Sequence, residues 1–143
     1  MKMKKIITVL LILMITISAL ASPFNAFAAE QSLQWSYIHM ITFNIGFDGL
    51  DGGVYASCEF YPDCIYAEGR LTLYEYDEEY DEWVRIGMWL DSSVINSLDI
   101  YGEFEATYGA YYMATFWIKA YGSQYSYDEE NLEDYSQCPY PSN

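Results

Sequence analysis

The stretch WSYIHMITFNIGF puts Trp35, Tyr37, His39, Ile41, Phe43, Ile45 and Phe47 on one parity, against Ser36, Thr42, Asn44 and Gly46 on the other. Side chains of a strand point alternately to opposite faces, whereas the apolar positions of a helix recur every three to four residues. A period of two therefore predicts a long half-buried strand, bent once, from Trp35 to Phe47. The glycines and aspartates of DGLDGG, Asp48 to Gly53, mark a turn, and the alternation resumes from Val54 to Phe60. In RLTLYEY, Leu71 and Leu73 stand against Arg70, Thr72 and Tyr74. WVRIGMWLD then sets Val84, Ile86, Met88 and Leu90 on one face and Trp83, Arg85, Gly87 and Trp89 on the other. Two more strands are predicted near Leu98 to Ala106 and Ala110 to Tyr121, separated by TYG. No segment reads as a capped helix.

About six to seven short strands, with turn signals every 8 to 12 residues or so, predict an all-β fold. The expected architecture is an antiparallel two-sheet β-sandwich, immunoglobulin-like or related, with a small up-and-down barrel as the alternative. From Asp128 the alternation lapses, and DEENLEDYSQCPYPSN reads as an acidic C-terminal tail over residues 128–143. At the other end, Met1 to Lys5 is basic, Ile6 to Leu20 is apolar, and Ala26-Phe27-Ala28 has the small-x-small form of a cleavage site. Residues 1–28 are thus predicted to be a secretory signal peptide, with cleavage after Ala21 as the weaker alternative. The apolar run, closed by Pro23, falls short of the roughly 20 residues that span a bilayer, so no membrane span is expected once the leader is removed. Residues 29–127 remain as one sandwich domain, long enough for a modest single core.

Charge narrows the partners. Of six cationic residues, Lys2, Lys4 and Lys5 belong to the leader; Arg70, Arg85 and Lys119 face 21 acids, a net charge of −18. Nucleic acid and anionic membranes are repelled by such a polyanion. Cations or a basic protein are attracted. The recurring aromatic and β-branched residues set the chain apart from a disordered acidic polymer.

An exported chain can keep disulfides. Cys58, Cys64 and Cys138 allow one bridge and one spare thiol. In CEFYPDC the Tyr-Pro-Asp turn can bring Cys58 and Cys64 face to face, while a bridge from Cys138 to the body would tie down the tail. Zinc held by the cysteines and His39 lacks the usual close Cys pair.

Six acids crowd the eight residues from Glu75 to Glu82. Asp77, Glu78, Glu79 and Asp81 are candidate calcium ligands, although calcium takes about six to eight oxygens and DEEYDE has neither the spacing nor the glycine of a known loop. As a hairpin tip the same residues need only solvent and discourage edge-to-edge association. Catalysis finds less support. Paired glycosidase carboxylates need a desolvated cleft and a fixed separation, and His39, the only histidine, lies mid-strand, where a core or inter-sheet role is expected. No cofactor other than calcium is suggested, and no enzyme motif is found.

Sixteen tyrosines and four tryptophans exceed what a core of this size requires. Exposed rings give broad contact area at low entropic cost and stack on sugars or proteins. Tyr74, Tyr76, Trp83, Trp89 and Trp117 are the candidate binding residues, with Tyr111 and Tyr121 beside them on the last predicted strand. In a sandwich, Trp83 or Trp89 can equally be the inter-sheet core residue.

Leu71-x-Leu73, a polar hairpin, Trp83-x-x-Ile86-x-x-Trp89 and Gly109-x-Tyr111-Tyr112 together resemble an uncharacterised family of small secreted proteins of Gram-positive bacteria, predicted as β-sandwiches and without an assigned activity. The resemblance spans Trp35 to Tyr121 and implies no catalytic residues; Glu75 stands where that family tends to have a polar or basic residue. The expected function is a secreted, non-enzymatic binding or structural module near the cell envelope, its partner an extracellular protein or glycan. A calcium-dependent or carbohydrate-binding module and a secreted toxin or inhibitor are the alternatives.

Overall fold

The computed structural model describes residues 35–141, which form seven strands. They are β1 (Ile38–Asp48), β2 (Asp51–Phe60), β3 (Tyr66–Asp77), β4 (Glu82–Ser93), β5 (Ser97–Glu105), β6 (Tyr111–Ser123) and β7 (Ser126–Gln137). The predicted leader, residues 1–28, lies outside the described residues. One sheet runs β1-β2-β5 and the other β4-β3-β6-β7, every pairing is antiparallel, and neither sheet closes into a barrel. The two-sheet sandwich is the fold, and the barrel alternative is set aside. Compared with an immunoglobulin constant domain, the fourth strand has moved from the first sheet to the second.

The inner faces follow the predicted alternation. On β6, Tyr112, Ala114, Phe116, Ile118 and Ala120 are fully buried, sharing the core with Leu71 and Leu73 of the adjacent β3 and with Val54, Ala56 and Cys58 of β2 in the other sheet. Near the start of β6 the Tyr112 hydroxyl accepts the Thr107 backbone N–H at 2.9 Å and donates to Glu75 at 3.3 Å. This ties the loop after β5 to the sandwich end in the manner of a tyrosine corner.

Two β-bulges redirect side chains that simple alternation misplaces. In β1, Ile38 pairs with Phe60 and Met40 with Glu59, leaving His39 as the extra residue. His39 is consequently exposed, 3.8 Å from Glu59 and against the Tyr61 ring, rather than in the core. In β4, Gly87 pairs with Leu73 but Arg85 pairs with Tyr74, so Ile86 is the bulge. Two residues there oppose one, which reverses the facing of everything beyond. Trp83 and Arg85 point outward while Gly87 and Trp89 point into the sandwich, although one unbroken alternation would put all four on one face.

The predicted acidic tail is corrected most plainly. Ser126–Gln137 is a full strand, paired along β6 from Tyr111↔Gln137 to Ser123↔Ser126. Its inward side chains are mainly acidic because they serve as acceptors. Asp128 Oδ2 takes the backbone N–H groups of Tyr37 (2.6 Å) and Ile38 (3.0 Å), Asp134 takes that of Ile45 (3.1 Å), and Glu130 takes the Trp35 indole N–H (2.8 Å). Carboxylates thus latch β7 onto the edge strand of the facing sheet. A search for apolar alternation passes over such a strand.

The edges of the four-stranded sheet differ. On β4, Val84, Ile86, Met88 and Leu90 are all exposed. On β7, Asp128, Glu129, Glu130, Glu133 and Asp134 crowd a single strand.

Candidate functional site

Strand register gathers the predicted aromatic residues on the outer face of the β4-β3-β6-β7 sheet. Cross-strand pairing joins Tyr76 to Trp83, Tyr74 to Arg85 and Met113, Met113 to Tyr135, and Arg70 to Trp117. Further along, Tyr121 is opposite both Tyr66 and Tyr127. Tyr74, Tyr76, Trp83, Tyr111, Trp117 and Tyr121 therefore share one surface. Trp89 does not. It packs on the core opposite Leu71 and covers Gly102, where an added Cβ would stand 2.4 Å from the indole. The β4 bulge is the physical reason for the split between Trp83 and Trp89. Tyr127 and Tyr135 join the face from β7, unanticipated because that strand reads as a tail; the alternation of Tyr127, Glu129, Asn131, Glu133 and Tyr135 was the available signal.

All three cations of the described residues lie on this face as well. The Arg70 guanidinium sits 5.6 Å from the Trp117 ring centre, and Lys119 Nζ sits 3.8 Å from the Tyr127 ring and 5.4 Å from that of Tyr121. These distances are within the range of cation–π attraction. Carboxylates complete the pattern. Glu129 accepts the Trp117 indole N–H at 2.8 Å and lies 3.5 Å from Lys119. The indole hydrogen bond foremost, with the Lys119 charge, holds its carboxyl below the usual range against an opposing desolvation. Glu68 accepts the Tyr121 hydroxyl at 2.6 Å, and that bond, with burial, pushes the phenol up to about 12.

At one end of the face, Tyr76, Trp83, Tyr111, Tyr112 and Tyr135 line an open cleft of about 220 Å³. The ring of Trp83 is 5.1 Å from Tyr76 at 57° and 5.9 Å from Tyr135 at 63°. Trp83 and Tyr135 belong to opposite edge strands, about 14 Å apart across three strand spacings. Their rings must lean toward each other over the middle strands to come this close. Tyr76 donates its hydroxyl to Asp81, and Tyr135 donates to Glu133 at 2.8 Å. Each carboxylate raises the pKa of its phenol, chiefly through that bond.

The candidate calcium ligands do not converge. Asp77 Oδ1 accepts the N–H groups of Glu79 (2.9 Å) and Tyr80 (3.3 Å), closing the hairpin turn. Asp81 holds a left-handed backbone, φ 54°, which a short polar side chain tolerates. Glu78 and Glu79 are exposed. Asp48 and Asp51 line a separate cleft with Glu103 and Glu105, and among the described residues no three His, Cys, Asp or Glu side chains are grouped to hold a metal ion. Asp77 and Asp81 thus serve the turn itself.

The cysteines are free thiols in this structure, so the expected Cys58–Cys64 bridge is not formed here. Cys58 is fully buried, and burial first, then the nearby Cys64, pushes its thiol up to about 12. Cys138 Sγ lies 3.5 Å from the Gly49 carbonyl, at the opposite end of β2. That separation, on the order of 25 Å along the strand, is far beyond disulfide reach. The alternative bridge from Cys138 to another cysteine is thereby removed.

No protein-family model and no curated protein matches the chain. Among solved structures it is similar to a β-glucuronidase of Parabacteroides merdae, with a TM-score of 0.41 and 10% sequence identity. The match covers 72% of this chain and 13% of that one.

Proposed function

We propose that the chain is a secreted, non-enzymatic binding module whose ligand contacts the outer face of the four-stranded sheet. One observation carries this reading. The inner face of that sheet already supplies the core, yet the outer face gathers Tyr66, Tyr74, Tyr76, Trp83, Tyr111, Trp117, Tyr121, Tyr127 and Tyr135. A solvated face of an antiparallel sheet needs only polar residues, so an aromatic outer face is unexplained by folding alone. Exposed aromatic patches of this kind mark interaction surfaces, and the residues that dominate binding are enriched in tryptophan and tyrosine. Export is supported by the leader pattern of residues 1–28. An extracellular setting makes glycans, proteins and small organic ligands the accessible partners.

The test is a screen of the mature protein, residues 29–143, against glycans, cell-wall fragments and small organic cations, read by tryptophan fluorescence. Binding is expected to weaken fivefold or more, about 1 kcal/mol, on Trp83→Ala or Trp117→Ala, with an unchanged melting temperature. Ligand binding that both variants leave intact would refute the assignment of this face.

A further inference from the structure

We infer that the cleft between Tyr76, Trp83, Tyr111 and Tyr135 is an aromatic cage for a small quaternary ammonium cation, such as a free trimethylammonium compound. This deepens the binding-face reading and rests on it. Ring geometry is the first argument. A flat sugar face needs a coplanar platform, but Trp83 is inclined at 57° to Tyr76 and at 63° to Tyr135. Rings tilted in this way form walls. Inclined rings offer faces in more than one direction, which suits a round cation without hydrogen-bond donors better than a flat sugar. The lining agrees, since aromatic side chains alone border the cleft of about 220 Å³, and a trimethylammonium group needs no hydrogen-bond partner.

Charge is the second argument. Hydrogen bonds from Tyr76 to Asp81 and from Tyr135 to Glu133 place a carboxylate at the tip of two of the cage rings. An anionic acceptor makes a phenol more electron-rich and adds direct attraction for a cation nearby. The net charge of −18 outside the leader acts in the same sense at longer range. Elsewhere on the same face the chain already seats its own cations over rings, Arg70 on Trp117 and Lys119 on Tyr121 and Tyr127. Neither sits over the cage. Arg85 stands in the adjoining row opposite Tyr74, so its charge opposes an entering cation and limits affinity.

The experiment compares tetramethylammonium and choline with 3,3-dimethylbutan-1-ol, the neutral isostere of choline, at constant ionic strength, by tryptophan fluorescence and proton NMR of the mature protein. Saturable binding of both cations is expected, about tenfold tighter for choline than for its isostere. Trp83→Leu and Tyr135→Leu should each weaken choline binding about tenfold, whereas Tyr125→Leu, in the exposed turn between β6 and β7, should leave it unchanged. Equal binding of choline and the isostere would overturn the cage, because an apolar groove does not read charge. So would the absence of saturation, or retention on phosphatidylcholine vesicles without binding of the free cation. A glycan that binds in a Trp83-dependent manner while choline does not would remove the cage but keep the aromatic face as the binding surface. The isostere comparison uses the unaltered chain, so the outcome does not depend on any variant folding.

Discussion

Asp128 offers the sharpest check of how the sandwich is held together. One carboxylate oxygen accepts two backbone N–H groups of the facing sheet, at 2.6 Å from Tyr37 and 3.0 Å from Ile38, and Ile38 is only 1% exposed. Hydrogen bonds to charged acceptors contribute roughly 1.5–3 kcal/mol, and a buried donor left without a partner costs about 1–3 kcal/mol. Asp128→Ala removes both bonds and leaves the Ile38 N–H away from water, while Tyr37 is half-buried and recovers part of its loss by solvation. The expected destabilisation is about 2–4 kcal/mol, a large share of the roughly 5–15 kcal/mol typical of a domain. Asp128→Asn keeps an acceptor oxygen without its charge and should cost about 1 kcal/mol. Urea unfolding followed by tryptophan fluorescence measures both, with Asn131→Ala as the control: Asn131 is exposed on the same strand and should lie within about 0.5 kcal/mol of the parent. An Asp128→Ala loss no larger than that control would refute the latch and return this segment to a surface tail.

At alkaline pH the tyrosines act together. The Tyr121 phenol keeps its proton up to about 12 when folded and releases it near 10 when unfolded, so its stabilisation is complete below pH 10 and lost as pH rises from 10 to about 12. The shifts of Tyr76, Tyr101, Tyr112 and Tyr135 have the same sign. Glu68→Gln should return Tyr121 toward its ordinary value in an ultraviolet phenolate titration, and an unmoved midpoint counts against the Glu68 bond as the cause. Under oxidising conditions a non-reducing peptide map is expected to leave Cys138 as a thiol; a bridged Cys138 contradicts the strand separation. At the hairpin, joint replacement of Glu78 and Glu79 by glutamine should change stability by less than about 0.5 kcal/mol per site. The melting temperature should be the same in calcium and in chelator, and a calcium-dependent rise lost in that variant would reinstate a metal site.

What the sequence revealed, and what it hid, divides along particular residues. Six strands and the two-sheet packing are legible because Val54, Leu71, Leu73, Phe116 and Ile118 keep a strict period of two, which only a half-buried strand requires. The seventh strand is hidden because Asp128, Glu130 and Asp134 turn inward to take backbone donors from another sheet. Such long-range acceptors leave no periodic apolar trace. Bulges are equally invisible, since a single inserted residue needs no special composition; Ile86 and His39 look like ordinary members of their strands. The consequence for the candidate site is specific. Trp83 and Trp89 look equivalent until the extra residue between them sends one to the surface and the other inside.

The unlike edges of the four-stranded sheet also limit how copies of this molecule can associate. Joining two apolar β4 strands about a two-fold axis would extend the sheet and leave only acidic β7 strands at its ends. Growth beyond that dimer requires two β7 strands to meet, setting their carboxylates against one another, which like charges on paired strands oppose. An acidic strand at each end of the paired sheet therefore opposes continued edge-to-edge growth.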